Sequence, residues 1–358
     1  MAAPSEDPPL YCRDAFELFS VAFERLAAEL AEQLTEVDFA LAGRRVRARI
    51  LGAQLGRMFR NAFELCPGVG EPALEVWLWD ESPDTGIDPR VRLECGLDEG
   101  ALRASVVTGI SESGRYVCNM ADSWLNFLDL GRARIVGCVL SRASMHIHER
   151  ARPLEWPLRF WLRHLGLPVV HAGLVARDGA GVLIAGPAGA GKSTVALACV
   201  DGGLEYLADD KVGLETVGAA AYVGHRLYRS ILASVDVLDR FPHLRSHAQR
   251  RDTDSEGKAI LMVSELFPHR LVGSCRIEAI VLPRVDAGLP ASQLRPARRA
   301  EAVTRMLPNC LPLSPTWDRD DFRRLGNLVQ SVPVFWLDIG GSPASLPALI
   351  ESLTRLAG

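Results

Sequence analysis

This sequence of 358 residues has no long apolar run, no large excess of charge of one sign and no closely spaced pair of cysteines. No apolar stretch approaches the roughly 20 residues that a helix needs to cross a bilayer, so no membrane partner is expected. The formal charge of −4 is small, which argues against a general nucleic-acid-binding protein. The eight cysteines are scattered without a C-x-x-C pair, and we expect buried free thiols rather than disulfides or a zinc site.

The first ten residues also lack the basic and apolar regions of a secretory signal. We therefore expect residues 1–10 to form a disordered tail and the protein to be cytoplasmic. A hydrophobic content of 48% and a charged content of 23% are ordinary for a globular protein. The length predicts two domains, which we place at residues 11–150 and 151–358.

A phosphate-binding loop is the clearest feature that the sequence does contain. The apolar run 182–185 leads into Gly186-x-x-x-x-Gly191-Lys192-Ser193, and residues 193–200 have the pattern of a helix. Glycines let the backbone turn its N–H groups toward an anion, and the helix N-terminus adds positive dipole. The loop predicts binding of ATP with Mg²⁺. The residues expected to bind the nucleotide are Gly186, Pro187, Ala188, Gly189, Ala190, Gly191, Lys192, Ser193 and Thr194.

Two adjacent carboxylates, Asp209 and Asp210, come at the end of a predicted short strand that starts at residue 204. Acids at a strand end beside a phosphate loop are placed to hold Mg²⁺ or to accept the proton of a hydroxyl. Neighbouring side chains on a strand point to opposite faces, so we expect the two acids to have different roles. A salt-bridged strand end without catalytic function is the alternative.

Residues 11–150 predict a smaller α+β domain without a catalytic motif. An apolar stripe from Phe16 to Leu34 predicts a helix, and packing on its own domain is favoured over a partner helix or a dimer interface. The alternating stretches 37–41 and 46–50 predict a β-hairpin around Gly43.

Four polar residues of this region are candidates that we interpret as non-catalytic. Asp80 and Glu81 are acids in a predicted loop. His146 and His148 would share one face of a strand, but no third ligand lies near them in the sequence. Two surface histidines are therefore favoured over a metal site.

From residue 171 to residue 212 the sequence resembles the kinase domain of HPr kinase/phosphorylase. The matched segments are 171–175, 181–184, 186–193 and 207–212. The resemblance implies an α/β nucleotide-binding fold for residues 151–358, similar to that of phosphoenolpyruvate carboxykinase. The smaller α+β domain would precede this P-loop domain.

The resemblance also implies roles for individual residues. Asp209 would be the catalytic base toward a serine hydroxyl, and His171 would hold that carboxylate. Lys192 would bind the phosphates, and Ser193 would bind Mg²⁺ together with Asp210. An arginine is expected to clamp the transferred group, and the sequence does not choose among Arg226, Arg229, Arg250 and Arg251.

The sequence thus predicts an ATP-dependent kinase that transfers the γ-phosphoryl group to a hydroxyl, with a serine of a peptide or protein favoured as acceptor. Two departures from the family argue against HPr itself and against reverse phosphorolysis. No Arg-Gly-Leu-Gly run follows Asp210, and the N-terminal region is unlike that of the family. A kinase for small-molecule hydroxyls, or a nucleotide-binding regulatory or assembly protein without transfer activity, is the alternative. The sequence leaves a homo-oligomer open.

Overall fold

The computed structural model of the protein describes residues 9–94, 107–111, 113–121, 123–218, 221–249, 257–310 and 319–355. The chain divides into two compact units, Met1–His164 and Leu165–Gly358, here named the N-terminal and C-terminal units. The boundary predicted from the sequence lies before the helix at 155–164, which belongs to the N-terminal unit. Of the predicted tail, residues 1–8 lie outside the described residues, and Pro9 begins the first helix.

The N-terminal unit is a mixed sheet with helices. Its helices are α1 (Pro9–Glu29), α2 (Ala53–Ala62), α3 (Arg90–Glu94), α4 (Ile147–Ala151) and α5 (Glu155–His164). Its strands are β1 (Leu34–Leu41), β2 (Arg44–Leu51), β3 (Glu64–Leu65), β4 (Leu74–Asp80), β5 (Val107–Ile110), β6 (Tyr116–Met120), β7 (Trp124–Asp129) and β8 (Arg134–Val139). The strand order is β3-β1-β2-β4-β8-β7-β6-β5, and the predicted hairpin is β1 with β2.

Helix α1 packs its predicted apolar stripe on this sheet. Phe16, Phe19 and Phe23 are fully buried. The ring of Phe19 lies 5.0 Å from that of Trp79 and 4.8 Å from that of Phe127. The helix predicted from the apolar spacing is confirmed from Phe16 to Glu29, but it ends there, and Leu34 begins β1.

His146 and His148 lie at the start of α4 and not on a strand, which corrects the interpretation from the sequence. His146 is the residue that caps α4, and its backbone N–H donates to a carboxylate oxygen of Glu149 at 2.7 Å. This reciprocal capping favours a helix start over an extended strand. Within the described ranges, no group of three or more His, Cys, Asp or Glu side chains could hold a metal ion.

The C-terminal unit is also mixed α/β, as the predicted class requires. Its helices are α6 (Lys192–Asp201), α7 (Val235–Asp239), α8 (Val263–Leu266), α9 (Arg299–Cys310), α10 (Arg319–Ser331) and α11 (Leu346–Thr354). Its strands are β9 (Val169–Arg177), β10 (Ala180–Ala185), β11 (Glu205–Ala208), β12 (Lys211–Val217), β13 (Ala221–Arg226), β14 (Ser230–Ser234), β15 (Lys258–Met262), β16 (Ser274–Val285), β17 (Gln293–Pro296) and β18 (Val334–Ile339).

The topology brings three strand ends to one edge of the large sheet. The order is β10-β9-β12-β13-β16-β18-β17, with β11 beside β9 and a further pairing of β10 with β16. Strands β10, β16 and β18 are parallel, so their carboxyl ends meet at the same edge. Strands β14 and β15 form a separate antiparallel ribbon.

Side chains of β9 and β10 alternate between the two faces of the sheet and belong to two hydrophobic cores. Val175, Val182 and Ile184 pack with α6, α11 and the β14–β15 ribbon. Leu174 and Leu183 pack with α9 and α10 on the other face. Helix α6 is apolar on nearly every side because it is buried between the sheet, the ribbon and α11. None of the helices in the described ranges has the length and hydropathy that a bilayer crossing requires.

Candidate active site

The phosphate loop fills residues 186–191, between the end of β10 and the start of α6. Gly189 and Gly191 have φ angles of +76° and +101°, in the left-handed region that favours glycine. A Cβ atom on Gly191 would lie 2.9 Å from Cδ1 of Ile339, at the end of β18. The loop therefore lies close against the shared edge of the parallel strands, and its backbone needs glycine at this position.

Lys192 is the first residue of α6 and is buried. Its ammonium nitrogen donates to the carbonyl oxygens of Gly186 at 2.9 Å and Pro187 at 3.1 Å. The half-buried Ser193 follows it in the first turn of the helix. The loop thus holds its lysine on the inner side of its own backbone curl.

His171 lies beside this loop on the neighbouring strand. The β9–β10 ladder pairs Ala172 with Ala185, so the next position places His171 level with Gly186. His171 has the same strand parity as Val175, which points its side chain to the α6 face.

Burial and the charges of neighbouring side chains, including both lysines of the site, shift the pKa of His171. Burial lowers the pKa of the imidazole, the carboxylate of Asp210 raises it, and the charges of Lys211 and Lys192 lower it again. The net shift is downward from the ordinary value of 6.5. The ring is therefore neutral at pH 7 and can accept as well as donate a hydrogen bond.

Three side chains contact one another in a group here named the His171–Asp210–Lys211 cluster. Nε2 of His171 lies 3.0 Å from Oδ1 of Asp210, and the Lys211 ammonium lies 3.0 Å from Oδ2 of the same carboxylate. The Lys211 ammonium also lies 3.4 Å from Nδ1 of His171. Register explains the contact, because Lys211 on β12 pairs directly with His171 on β9.

Asp209 has a different environment and is only 3% exposed. Its Oδ2 accepts from the backbone N–H of Leu232 at 3.1 Å, and its Oδ1 lies 3.3 Å from the hydroxyl of Tyr206. That hydroxyl donates to the carbonyl oxygen of Ser230 at 2.8 Å. Asp209 therefore ties the end of β11 to β14.

The carboxylate that His171 contacts is Asp210, not Asp209 as the family resemblance implied. Strand β11 ends at Ala208 and β12 begins at Lys211, so both acids lie in the link between two strands. Asp210 turns toward β9, and Asp209 turns toward β14. The sequence predicted that the two acids end a short strand and have different roles, but it assigned the contact with His171 to the wrong acid.

The candidate arginines divide between described and undescribed residues. Arg226 ends β13 opposite Val212, the neighbour of Lys211, and is buried. Arg229 is half-buried and lies just before β14. Arg250 and Arg251 lie outside the described residues. Arg226 thus ends the strand that pairs with β12, and Arg229 lies in the link from that strand to β14.

Two residues of the site were missed from the sequence, Tyr206 and Lys211. Both lie within or next to the matched segment 207–212, so proximity to the acids was the available signal. Their contacts depend on strand register and on the β14–β15 ribbon, which neither spacing nor residue type reveals.

The two residues expected to hold Mg²⁺ fit that ion unequally. Mg²⁺ usually keeps several waters and takes one or two protein ligands together with phosphate oxygens, so a dedicated cage is not required. The Ser193 hydroxyl is a suitable oxygen ligand at the start of α6. Both oxygens of Asp210 already face hydrogen-bond donors, one of them the Lys211 ammonium. A second cation there would be repelled, so Ser193 fits better than Asp210.

No family model and no curated protein matches the chain. Among solved structures, the chain is similar to the Hpr(Ser) kinase/phosphatase from Coxiella burnetii at 19% identity. That match covers 52% of this chain and 93% of the other, with a TM-score of 0.28. Values this low leave the question of function to the geometry of the site.

Proposed function

We propose that the protein is an ATP-dependent phosphotransferase that transfers the γ-phosphoryl group to a hydroxyl, and that the acceptor is a serine of a peptide or protein. The observation that carries this proposal is the juxtaposition of the phosphate loop and the His171–Asp210–Lys211 cluster. A phosphate loop alone serves many reactions. A carboxylate held beside such a loop is what transfer to a hydroxyl needs in addition.

The loop and α6 supply the binding of the nucleotide. On binding, the Lys192 ammonium exchanges the carbonyl oxygens of Gly186 and Pro187 for phosphate oxygens, which it binds as a compact charge. Backbone N–H groups of the loop and the N-terminus of α6 add directed positive potential. Ser193 would hold Mg²⁺, which neutralises phosphate charge when bound.

Asp210 is our proposed proton acceptor, in place of Asp209. The acceptor oxygen forms a bond to the γ-phosphorus, the bond to the bridging oxygen breaks with its electron pair left on ADP, and the hydroxyl proton passes to Asp210. The Asp210 side chain is 15% exposed, whereas Asp209 is only 3% exposed and its carboxylate is bonded to the backbone of β14. A positioned base of this kind typically contributes 10²–10⁴-fold.

The choice of a serine acceptor rests on the resemblance of residues 171–212 to the HPr kinase family, which implies transfer to a serine hydroxyl. Arg226 and Arg229 are the described candidates to bind the charge of the transferred group. Because the phosphoryl group is anionic in the transition state, a cation near Asp210 would stabilise it without itself forming or breaking a bond.

The test is transfer of labelled γ-phosphate from Mg-ATP to serine peptides, threonine peptides and small alcohols. We expect labelled serine, and we expect Lys192→Ala to weaken ATP binding by roughly 10²-fold, as the loss of charged hydrogen bonds predicts. Unchanged ATP affinity in Lys192→Ala would remove the loop from the proposal. ATP binding without transfer to any acceptor would instead identify a nucleotide-binding protein that lacks the reaction.

A further inference from the structure

Lysine is scarce in this protein, and its placement is uneven. Only three of the 40 basic residues Lys and Arg are lysines: Lys192, Lys211 and Lys258. Two of the three lie at the candidate active site, and Lys258 begins β15. Arginine serves nearly every other basic position, so an ammonium at position 211 calls for a chemical reason.

The contacts of Lys211 supply that reason. Its side chain is 7% exposed, and its nitrogen lies within 3.4 Å of both Asp210 and His171. An ammonium can only donate, so Nδ1 of the neutral imidazole must accept from it. The ring proton is then on Nε2, which lies 3.0 Å from Oδ1 of Asp210 and donates to it.

Arginine would not make the same arrangement. Its guanidinium is planar and presents its N–H groups in a rigid fork that suits one carboxylate side-on. The site instead needs one compact donor that reaches a carboxylate oxygen and a ring nitrogen in different directions. The ammonium, with three donors on one nitrogen, meets that requirement within a buried space.

We propose that Lys211 is a positioning residue for phosphoryl transfer, whose ammonium fixes the His171 tautomer and holds the Asp210 carboxylate toward the phosphate loop. This role rests on the proposed function but assigns Lys211 no contact with substrate. It acts through Asp210, whose two oxygens are held from the side of β9 and β12. Each carboxylate oxygen can accept more than one hydrogen bond, so the acceptor hydroxyl can still donate to it.

The unmodified protein provides the first test, because ¹⁵N-labelled histidine reports ring tautomers directly. The His171 signals are assigned by their loss in His171→Gln. Near neutral pH we expect a protonated Nε2 and an Nδ1 that accepts a hydrogen bond. In Lys211→Met, the Nδ1 resonance should move toward that of an imine nitrogen without a hydrogen bond. A protonated Nδ1 in the unmodified protein, or an Nδ1 resonance unchanged in Lys211→Met, overturns the proposal.

Turnover provides the second test, with Lys258→Met as the matched control. Lys211→Met should lower kcat by on the order of tenfold while the KM for ATP changes by less than about twofold, since orientation and not nucleotide binding is lost. Lys258→Met should behave as the unmodified protein. An unchanged kcat in Lys211→Met, or a rise in its KM for ATP as large as the fall in kcat, contradicts a positioning role. If the unmodified protein transfers no phosphate, the proposed function fails, and the histidine spectra still decide whether Lys211 fixes the His171 tautomer. They do so from the unmodified protein even where Lys211→Met does not fold.

Discussion

The buried carboxylates of the N-terminal unit and the half-buried Asp210 of the candidate active site have different partners. In the N-terminal unit each is paired with arginine: Asp80 with Arg142 at 2.6 Å, Glu81 with Arg92 at 3.1 Å and Asp129 with Arg115 at 2.7 Å. In the C-terminal unit, the buried Asp338 is likewise paired with arginine, with Arg295 at 2.6 Å, whereas the half-buried Asp210 of the candidate active site is held by a histidine and a lysine. Arginine pairs thus occur in both units, and the contrast is between such pairs and the candidate active site.

Arginine partners suit structural pairs, because guanidinium is always charged and binds carboxylate side-on. Burial alone would raise the pKa of Asp129, but hydrogen bonds from Arg115 and from backbone N–H groups lower it below its usual value. Such a carboxylate stays ionised and fixed. A neutral imidazole can exchange a proton near neutral pH, which suits a site where chemistry occurs. Glu81 differs from Asp129, because burial raises the pKa of its carboxyl in spite of the hydrogen bonds from Trp79 and Arg92.

The comparison is sharpened first by a large change in the N-terminal unit. Phe19→Ala removes a fully buried ring between Trp79 and Phe127 and should cost roughly 3–5 kcal/mol of unfolding free energy. ATP affinity should be unchanged, because every proposed nucleotide contact lies in the C-terminal unit. Chemical denaturation and ATP titration measure the two effects. A loss of ATP affinity in Phe19→Ala that matches its loss of stability, measured below the unfolding transition, would contradict this separation of the two units.

A smaller effect is expected from the phosphate loop. Gly191→Ala meets both a positive φ and Cδ1 of Ile339 at 2.9 Å, so ATP affinity should fall by roughly tenfold or more. Gly189→Ala is the matched control, since its φ is also positive but its Cβ would meet nothing within 4 Å. Isothermal titration should therefore give a lower ATP affinity for Gly191→Ala than for Gly189→Ala. The reverse order of affinities would be evidence against this loop geometry.

The smallest expected effect is a pH dependence of stability. The folded pKa of His171 lies below 6.5, chiefly because of burial, so the unfolded chain binds more protons in the window below pH 6.5. Stability of the C-terminal unit from this source should be complete above that pH and decline as pH falls toward the folded pKa. His171→Gln should remove this part of the decline. Denaturation midpoints that follow the same pH curve in both proteins would exclude the contribution.

Local patterns predicted the strand, loop and helix at 180–201, because glycine positions and apolar runs act over a few residues. The pairing of β14 with β15 was not predicted. Strand β14 is five residues long, and its partner β15 begins 24 positions after β14 ends. Pairing over such separations leaves no local signal.

The roles within the acid pair could not be predicted for a related reason. Spacing brought Asp209, Asp210 and His171 together as candidates. Which acid faces His171 depends on β11 ending at Ala208, where the β11–β9 ladder has a register shift. A one-residue change in register reverses the faces of a strand, so residue identity alone does not decide it.

The most direct measurement compares kcat for Asp210→Asn with that for Asp209→Asn, using the acceptor found in the transfer test. Asparagine keeps the shape and an acceptor oxygen, so the Leu232 N–H can remain bonded at position 209, while a base is lost at position 210. We expect Asp210→Asn to lower kcat by on the order of 10²-fold or more with ATP affinity nearly intact, and Asp209→Asn to stay within about tenfold. A large loss of kcat in Asp209→Asn, with near-normal turnover in Asp210→Asn, would contradict Asp210 as the proton acceptor.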